Sequence, residues 1–110
     1  MSIVLLPDAL DDMLALQDYM LNRWTVELWL QAEDEIFNKL ADVDSGLIDG
    51  APVAELAAVG IRDYRTLITS HHRILYRTLQ DSTPSSTIVY AVAGHQQNFQ
   101  TLLLQRLFKR

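Results

Sequence analysis

The stretch that most constrains this 110-residue chain runs from Gly60 to Leu79, with the sequence GIRDYRTLITSHHRILYRTL. Apolar, tyrosine and threonine side chains fill both halves of it, and such side chains pack well on a pleated surface. The stretch therefore predicts two β-strands joined by a tight turn near residues 70–72. A chain built on such a β-hairpin must cover at least one face of it with other elements.

Four basic residues interrupt this predicted β-hairpin: Arg62, Arg65, Arg73 and Arg77. Because residues two apart share a strand face, we expect Arg73 and Arg77 on one face, with Leu75 between them. The same rule predicts opposite faces of the first strand for Arg62 and Arg65. Guanidinium groups bind carboxylates or phosphates. These arginines therefore either pair with acidic groups of the chain or present positive charge to a partner.

The charge of the chain is divided between its two halves. Residues 1–55 contain twelve acidic and two basic residues, whereas residues 56–110 contain two acidic and seven basic residues. Either the two halves neutralise each other in the fold, or the basic half forms a surface for an acidic partner. Both explanations remain open on sequence grounds.

Two helices are predicted before the β-hairpin. A short buried strand is expected at residues 2–6, followed by helical periodicity from about Asp8 to Asn22 and again after Thr25. Asp8 and Thr25 are suitable N-cap residues. The short gap between the helices predicts an antiparallel helical hairpin. Residues 43–59, which contain Gly46, Gly50 and Pro52, are the part with the weakest pattern.

The remaining elements follow the β-hairpin. Thr87 to Ala93 is almost entirely apolar and predicts a central strand, and Asn98 can cap a last helix. The predicted order is β-α-α-β-β-β-α in one domain over residues 1–110. We expect an α+β fold with a small antiparallel sheet and the helical hairpin packed on one face.

Several classes of protein are disfavoured by composition. The chain has no cysteine, which excludes disulfides and thiolate zinc sites. It lacks a glycine-rich phosphate loop and a helical histidine pair, so we expect no cofactor and no metal. The N-terminal apolar run covers only residues 3–6, too short to span a membrane or to act as a signal peptide, and a cytoplasmic location is expected.

His95 is the residue best placed for chemistry, because it follows the predicted central strand and histidine transfers protons near neutral pH. With Arg73 and Arg77 it would form a minimal set for phosphodiester cleavage. An ordinary loop histidine is the alternative. His71 and His72 are expected in the turn. The tyrosines can either stack on bases or pack within the sheet: Tyr64, Tyr76 and Tyr90.

The chain resembles the RelE/ParE superfamily of bacterial toxins. The run LPDALDDMLALQDYM (residues 6–20) resembles the first strand and opening helix of that superfamily. The segment from Gly60 to Leu79 resembles its central β-hairpin, with Arg62 as the first arginine and HRILYR (residues 72–77) as the strand motif. The run IVYAVAGHQ (residues 88–96) resembles the last strand and its histidine-containing end.

The resemblance implies the toxin of a type II toxin–antitoxin system, neutralised by an antitoxin whose C-terminal segment wraps it. The ParE branch poisons DNA gyrase without known catalysis, and the RelE branch cleaves messenger RNA on the ribosome. The long helical hairpin and acidic net charge favour the ParE branch. Two further residues favour the ParE branch. Gln96 follows His95, and Phe99 occupies the region where a tyrosine would assist cleavage. The RelE activity and a role restricted to antitoxin pairing are the alternatives.

The same resemblance suggests where partners bind. We expect the antitoxin segment to lie across the hairpin groove and the sheet, with acidic residues on the arginines. Residues 99–110 could form part of the gyrase contact, although their leucines are equally expected in a core-packing helix. The partner-binding candidates are Arg62, Arg65, Arg73, Arg77, Tyr76, Phe99 and Arg106.

Overall fold

The computed structural model describes residues 2–79, 86–95 and 97–107 and has the predicted α+β architecture. Its elements in chain order are β1 (Ser2–Leu5), α1 (Pro7–Arg23), α2 (Val26–Asp44), β2 (Ala51–Pro52), α3 (Ala54–Ala57), β3 (Tyr64–Ile68), β4 (His72–Leu79), β5 (Ser86–Gly94) and α4 (Phe99–Leu107). The predicted order is found, with β2 and α3 added in the stretch that had the weakest sequence pattern.

The five strands form one sheet in the order β1-β5-β4-β3-β2. The β2–β3, β3–β4 and β4–β5 pairs are antiparallel, but β1 runs parallel to β5, with Leu5 opposite Val89. The expected antiparallel sheet is therefore mixed at this one pair. No tight turn joins β1 to β5, so the connection leaves the relative direction of the two strands free.

Both faces of the sheet are covered. Ile74 and Tyr76 of β4 pack on one side with the buried residues of α1 and α2, as predicted for the helical hairpin. Leu75 points to the other side and packs with Phe99 and Leu103 of α4. This alternation along β4 is what a strand buried on both faces requires. The two cores are called the hairpin core and the α4 core below.

The helix ends test two capping predictions. Leu6, not Asp8, occupies the N-cap position of α1, and its side chain makes no capping bond. Proline prefers the first helical position, which Pro7 takes, and this moves Asp8 into the first turn. Thr25 caps α2 as predicted, because its hydroxyl accepts from the Leu28 amide at 3.1 Å.

Within the described ranges, no helix combines the length and apolar character needed to cross a membrane.

An ion pair completes the sheet where β1 stops. Beyond Val89, β5 no longer has β1 beside it, and the Asp12 carboxylate accepts a hydrogen bond from the Val92 amide at 3.0 Å. Arg106 donates to the Tyr90 carbonyl at 3.3 Å and holds both carboxylate oxygens of Asp12 at 2.6 Å. The Asp12 carboxylate raises the pKa of Arg106 further above its usual value. One bidentate pair thus joins α1, β5 and α4.

Replacing Arg106 by methionine is expected to destabilise the fold. The side chains of Arg106 and Asp12 are only 16% and 13% exposed, so the change leaves a carboxylate shielded from water. We expect a loss of about 3 kcal/mol in the free energy of unfolding, measured by urea denaturation. Arg23→Met, at the exposed end of α1, is the control and should cost under about 1 kcal/mol. Equal losses in the two variants would contradict this role.

Candidate partner-binding site

Arg73 and Arg77 lie on the α4 side of the sheet, on either side of Leu75, as the strand alternation predicted. The guanidinium carbon of Arg73 is 3.9 Å from the centre of the Phe99 ring. That of Arg77 is 5.9 Å from the centre of the Tyr64 ring. Both charges are therefore supported by aromatic faces.

The guanidinium of Arg73 has no ion-pair partner in the part of the chain that the structure describes. Within the described residues no carboxylate lies in ion-pair distance of it, and its buried Nε has no hydrogen-bond partner. Phe99, which supports it, is itself only 8% exposed. The guanidinium of Arg73 lies over the face of the Phe99 ring. Because this contact uses no N–H group, donors of Arg73 remain available for an added acidic group.

Two tyrosines extend this surface beside Arg77. The rings of Tyr64 and Tyr90 meet edge to face with their centres 5.1 Å apart, and both side chains are partly exposed. The pKa of Tyr90 is raised mainly by burial, with a contribution from Tyr64, while Arg77 opposes the shift. Tyr90 is therefore a neutral hydroxyl group next to a cation.

Arg62 lies just before the first strand of the β-hairpin. β3 begins at Tyr64, so the prediction that Arg62 is a strand residue is wrong. Its side chain is exposed, and the preceding Ile61 packs against the α4 core. Because Ile61 packs against the core on the α4 side of the sheet, we group the exposed Arg62 with Arg73 and Arg77, which lie on that side. These three residues are called the arginine face.

Arg65 and Tyr76 have structural roles on the opposite side of the sheet. Arg65 donates to the Gly50 carbonyl at 3.0 Å and lies 3.6 Å from an Asp49 carboxylate oxygen. The Tyr76 hydroxyl accepts from the Gly50 amide at 2.7 Å and donates to Asp49 at 3.1 Å. Tyr76 is fully buried, which argues against the predicted partner contact. Both side chains instead attach the loop before β2 to the sheet.

Phe99 and Arg106, two of the predicted partner-binding residues, have contacts inside the fold. Phe99 is buried under Arg73, and the guanidinium of Arg106 is occupied by Asp12, with Asp8 at 3.8 Å. For Arg106 the structure favours the other explanation weighed from the sequence, pairing with the acidic helices. Of the leucines of α4, Leu103 is buried and Leu102 and Leu107 pack against the α4 core, whereas Leu104 is exposed.

His95 is exposed at the end of β5, and its Nε2 lies 3.0 Å from the Thr69 carbonyl oxygen. A proton on Nε2 is then donated to that carbonyl, which fixes the ring against the β3–β4 turn. The structure brings His95 to the same end of the sheet as Arg73, whose β5 partner is Ala93. No group of three or more potential metal ligands occurs in the described part of the chain.

His72 is a core residue that the sequence analysis placed wrongly in the turn. It is the first residue of β4, is 2% exposed, and meets the Trp29 ring edge to face at 6.4 Å. Burial, with smaller effects from the neighbouring histidines, lowers its pKa to about 4. The alternation of His72 with Ile74 and Tyr76 on one strand face is the signal that could have located it.

The buried neutral His72 predicts acid sensitivity. Its pKa falls from 6.5 to about 4 on folding, so the unfolded chain takes up the proton first and stability decreases as the pH falls from 6.5 towards 4. We expect His72 to account for a loss of roughly 2 kcal/mol between pH 7 and 5. His72→Phe should remove that part of the pH dependence in urea denaturation, whereas His71→Phe should keep it. Parallel pH profiles for wild type and His72→Phe would exclude the effect.

Comparison with known proteins shows the family to which the chain belongs. The sequence profile described as "ParE toxin of type II toxin-antitoxin system, parDE" matches residues 3–99. The solved "YoeB/ParE toxin from Agrobacterium tumefaciens" is similar in fold, with a TM-score of 0.58 and 16% identity over 86% of this chain and 99% of that chain. No curated protein sequence matches the chain. Because the profile covers most of the sequence, the chain belongs to the family of ParE toxins of type II toxin–antitoxin systems.

Proposed function

We propose that this chain is a ParE-like toxin that inhibits DNA gyrase in the cytoplasm and is neutralised by a cognate antitoxin bound to the arginine face. Membership of the ParE toxin family supports the toxin role. The observation that carries the antitoxin site is the environment of Arg73 and Arg77. Their guanidinium groups rest on Phe99 and Tyr64 rather than on carboxylates of the described chain.

The five arginines considered as candidates divide into two groups by their partners. Arg65 and Arg106 are used inside the fold, on Asp49 and Asp12. Among the described residues, no carboxylate lies within ion-pair distance of those of the arginine face, although the chain as a whole is acidic. A charged hydrogen bond contributes about 1.5–3 kcal/mol, so an acidic antitoxin segment would gain substantially by supplying the missing carboxylates.

Two features support gyrase over messenger RNA as the target. The acidic residues are concentrated on α1 and α2, and a negative surface is a poor match for ribosomal RNA, where phosphate contacts dominate affinity. The His95 ring is held by the Thr69 carbonyl. A protein that acts by binding alone needs no proton-transfer group at this position.

Ribosome-dependent cleavage of messenger RNA is the second candidate. It is favoured by the placement of His95 and Arg73 at one end of the sheet, where an arginine could hold a phosphate near an imidazole. Arg77 would add positive charge on the same face. A third possibility is that only antitoxin pairing is retained.

Charge reversal of the arginine face should weaken antitoxin binding. In the complex with the product of the neighbouring reading frame, Arg73→Glu/Arg77→Glu is expected to raise the dissociation constant at least hundredfold, about 3 kcal/mol, in isothermal titration calorimetry. Arg23→Glu, an exposed arginine on α1, is the matched control and should change it less than about threefold. A dissociation constant that the double reversal leaves unchanged would exclude the arginine face as the antitoxin site.

Two assays then separate the targets. Purified toxin should inhibit supercoiling by purified gyrase, and induction should leave translated messages intact in primer extension. His95→Ala should not affect gyrase inhibition, because the proposal gives His95 no catalytic role. Message cleavage that His95→Ala abolishes would instead establish the ribonuclease. If the chain shows neither gyrase inhibition nor message cleavage but still binds the antitoxin, antitoxin pairing is the one function retained.

A further inference from the structure

The loop before β2 contains the one Asp-Gly dipeptide of the sequence, Asp49–Gly50. Residues 48–50 have no regular secondary structure, and the Asp49 side chain is 65% exposed. In such a dipeptide the glycine nitrogen can attack the carboxyl carbon of the preceding aspartate, because glycine has no side chain to obstruct the approach. The dipeptide is therefore a reactive site in its own right, separate from the arginine face.

The reaction at an Asp-Gly dipeptide converts aspartate to isoaspartate in two steps. The Gly50 nitrogen bonds to the side-chain carboxyl carbon of Asp49, and one carboxyl oxygen leaves as water with the amide proton and the carboxyl proton. A water molecule then opens the succinimide ring. When it breaks the bond to the main-chain carbonyl carbon, the chain afterwards runs through Cβ and Cγ of residue 49. The mass is unchanged, and no oxidant or reductant is required.

The native contacts of the loop oppose the first step. The Gly50 N–H, whose proton must be lost, is donated to Oδ1 of Asp49 at 3.0 Å and to the Tyr76 hydroxyl at 2.7 Å. That hydroxyl donates in turn to Oδ1 of Asp49 at 3.1 Å. Arg65 holds the Gly50 carbonyl at 3.0 Å. Because Tyr76 is fully buried in the hairpin core, it fixes both reacting groups in positions that prevent the attack.

The packing around Gly50 also excludes the product. A Cβ atom on Gly50 would overlap the Thr66 carbonyl oxygen and the Tyr76 hydroxyl, so the main chain has no free space beside it. Isoaspartate lengthens the main chain by one atom just before Gly50. The next residue, Ala51, pairs with Thr66 of β3. The added atom would therefore displace Gly50 from Tyr76 and disrupt the pairing of β2 with β3.

We propose that Asp49–Gly50 is an isoaspartate-forming site that Tyr76 keeps closed in the folded chain, and that its reaction releases β2 from the sheet. The inference does not depend on the proposed gyrase or antitoxin binding. The reaction requires local opening of the loop, so its rate follows the fraction of molecules in which the loop is open. The product lies in an exposed loop, where an enzyme that methylates isoaspartyl carboxylates can reach it.

The first test follows isoaspartate in the purified full chain during incubation at neutral pH. Electron-transfer dissociation mass spectrometry locates isoaspartate at residue 49. Tyr76→Phe should form it about tenfold faster than wild type, because the variant loses two hydrogen bonds to the loop. Tyr64→Phe, at a partly exposed tyrosine on the α4 side of the sheet, is the matched control and should stay within about twofold of wild type. Equal rates in wild type and Tyr76→Phe would overturn the proposal.

A second measurement needs no variant and decides the matter if Tyr76→Phe fails to fold, which circular dichroism would show. In urea that unfolds the chain, wild type should form isoaspartate at residue 49 at least tenfold faster than in buffer. A synthetic peptide of residues 44–54 should react at similar rates in both solutions. A folded chain that reacts as fast as the peptide would overturn the protective role of the fold. Absence of isoaspartate at residue 49 in the unfolded chain would exclude the site.

The final test examines the modified chain, separated from the native form by chromatography. Hydrogen exchange over residues 50–52 and 65–66 should be at least tenfold faster in the isoaspartyl form, because β2 no longer pairs with β3. Exchange over residues 88–93 of β5, which pair with β4, should be unchanged and serves as the internal control. An isoaspartyl form that exchanges like the native chain over residues 50–52 would overturn the release of β2.

Discussion

The structure depends on how the interior strand β5 is completed after β1 ends. A strand amide left open in that position would have to face water or find a substitute. The carboxylate of Asp12 is the substitute, and Arg106 neutralises it while also reaching the Tyr90 carbonyl. The contact fixes α1 on one side of the sheet edge and α4 on the other. Phe99 of α4 is then in position to support Arg73.

This arrangement explains how one small chain holds opposite charges apart. The acidic helices cover one face of the sheet, and the arginine face lies on the other side, with the hairpin core between them. Among the described residues, Arg106 is the one arginine of α4 and the sheet that forms ion pairs with the acidic helices, at Asp8 and Asp12. The sheet thus prevents the general neutralisation that the composition allowed. Two surfaces of opposite sign result, and the arginine face is the one proposed to bind the antitoxin.

Local patterns predicted the elements of this fold well. Strand alternation placed Arg73 and Arg77 on one face, and Thr25 and the apolar run near Val89 gave the second helix and the central strand. The resemblance of residues 60–79 to a known β-hairpin gave the family. These features depend on neighbours in sequence, which is why a single sequence was sufficient.

The roles of individual side chains depended on distant contacts and were harder to predict. Arg106 and Asp12 are 94 positions apart, and no periodicity indicates that they pair. The role of Tyr76 was hard to predict because its hydroxyl bonds to Asp49 and Gly50, in a loop whose sequence has no recognisable pattern. The parallel direction of β1 is also set by long-range packing rather than by a turn. Candidate site residues could therefore be named from sequence, but not sorted into structural and binding ones.

The most direct test of the account is a structure of the toxin bound to its antitoxin, in which the surroundings of the Arg73 and Arg77 guanidinium groups are measured. The account predicts antitoxin carboxylate oxygens within about 4 Å of both groups, the ordinary limit for an ion pair. A complex in which both guanidinium groups remain without an antitoxin carboxylate, while the antitoxin lies elsewhere, would contradict it.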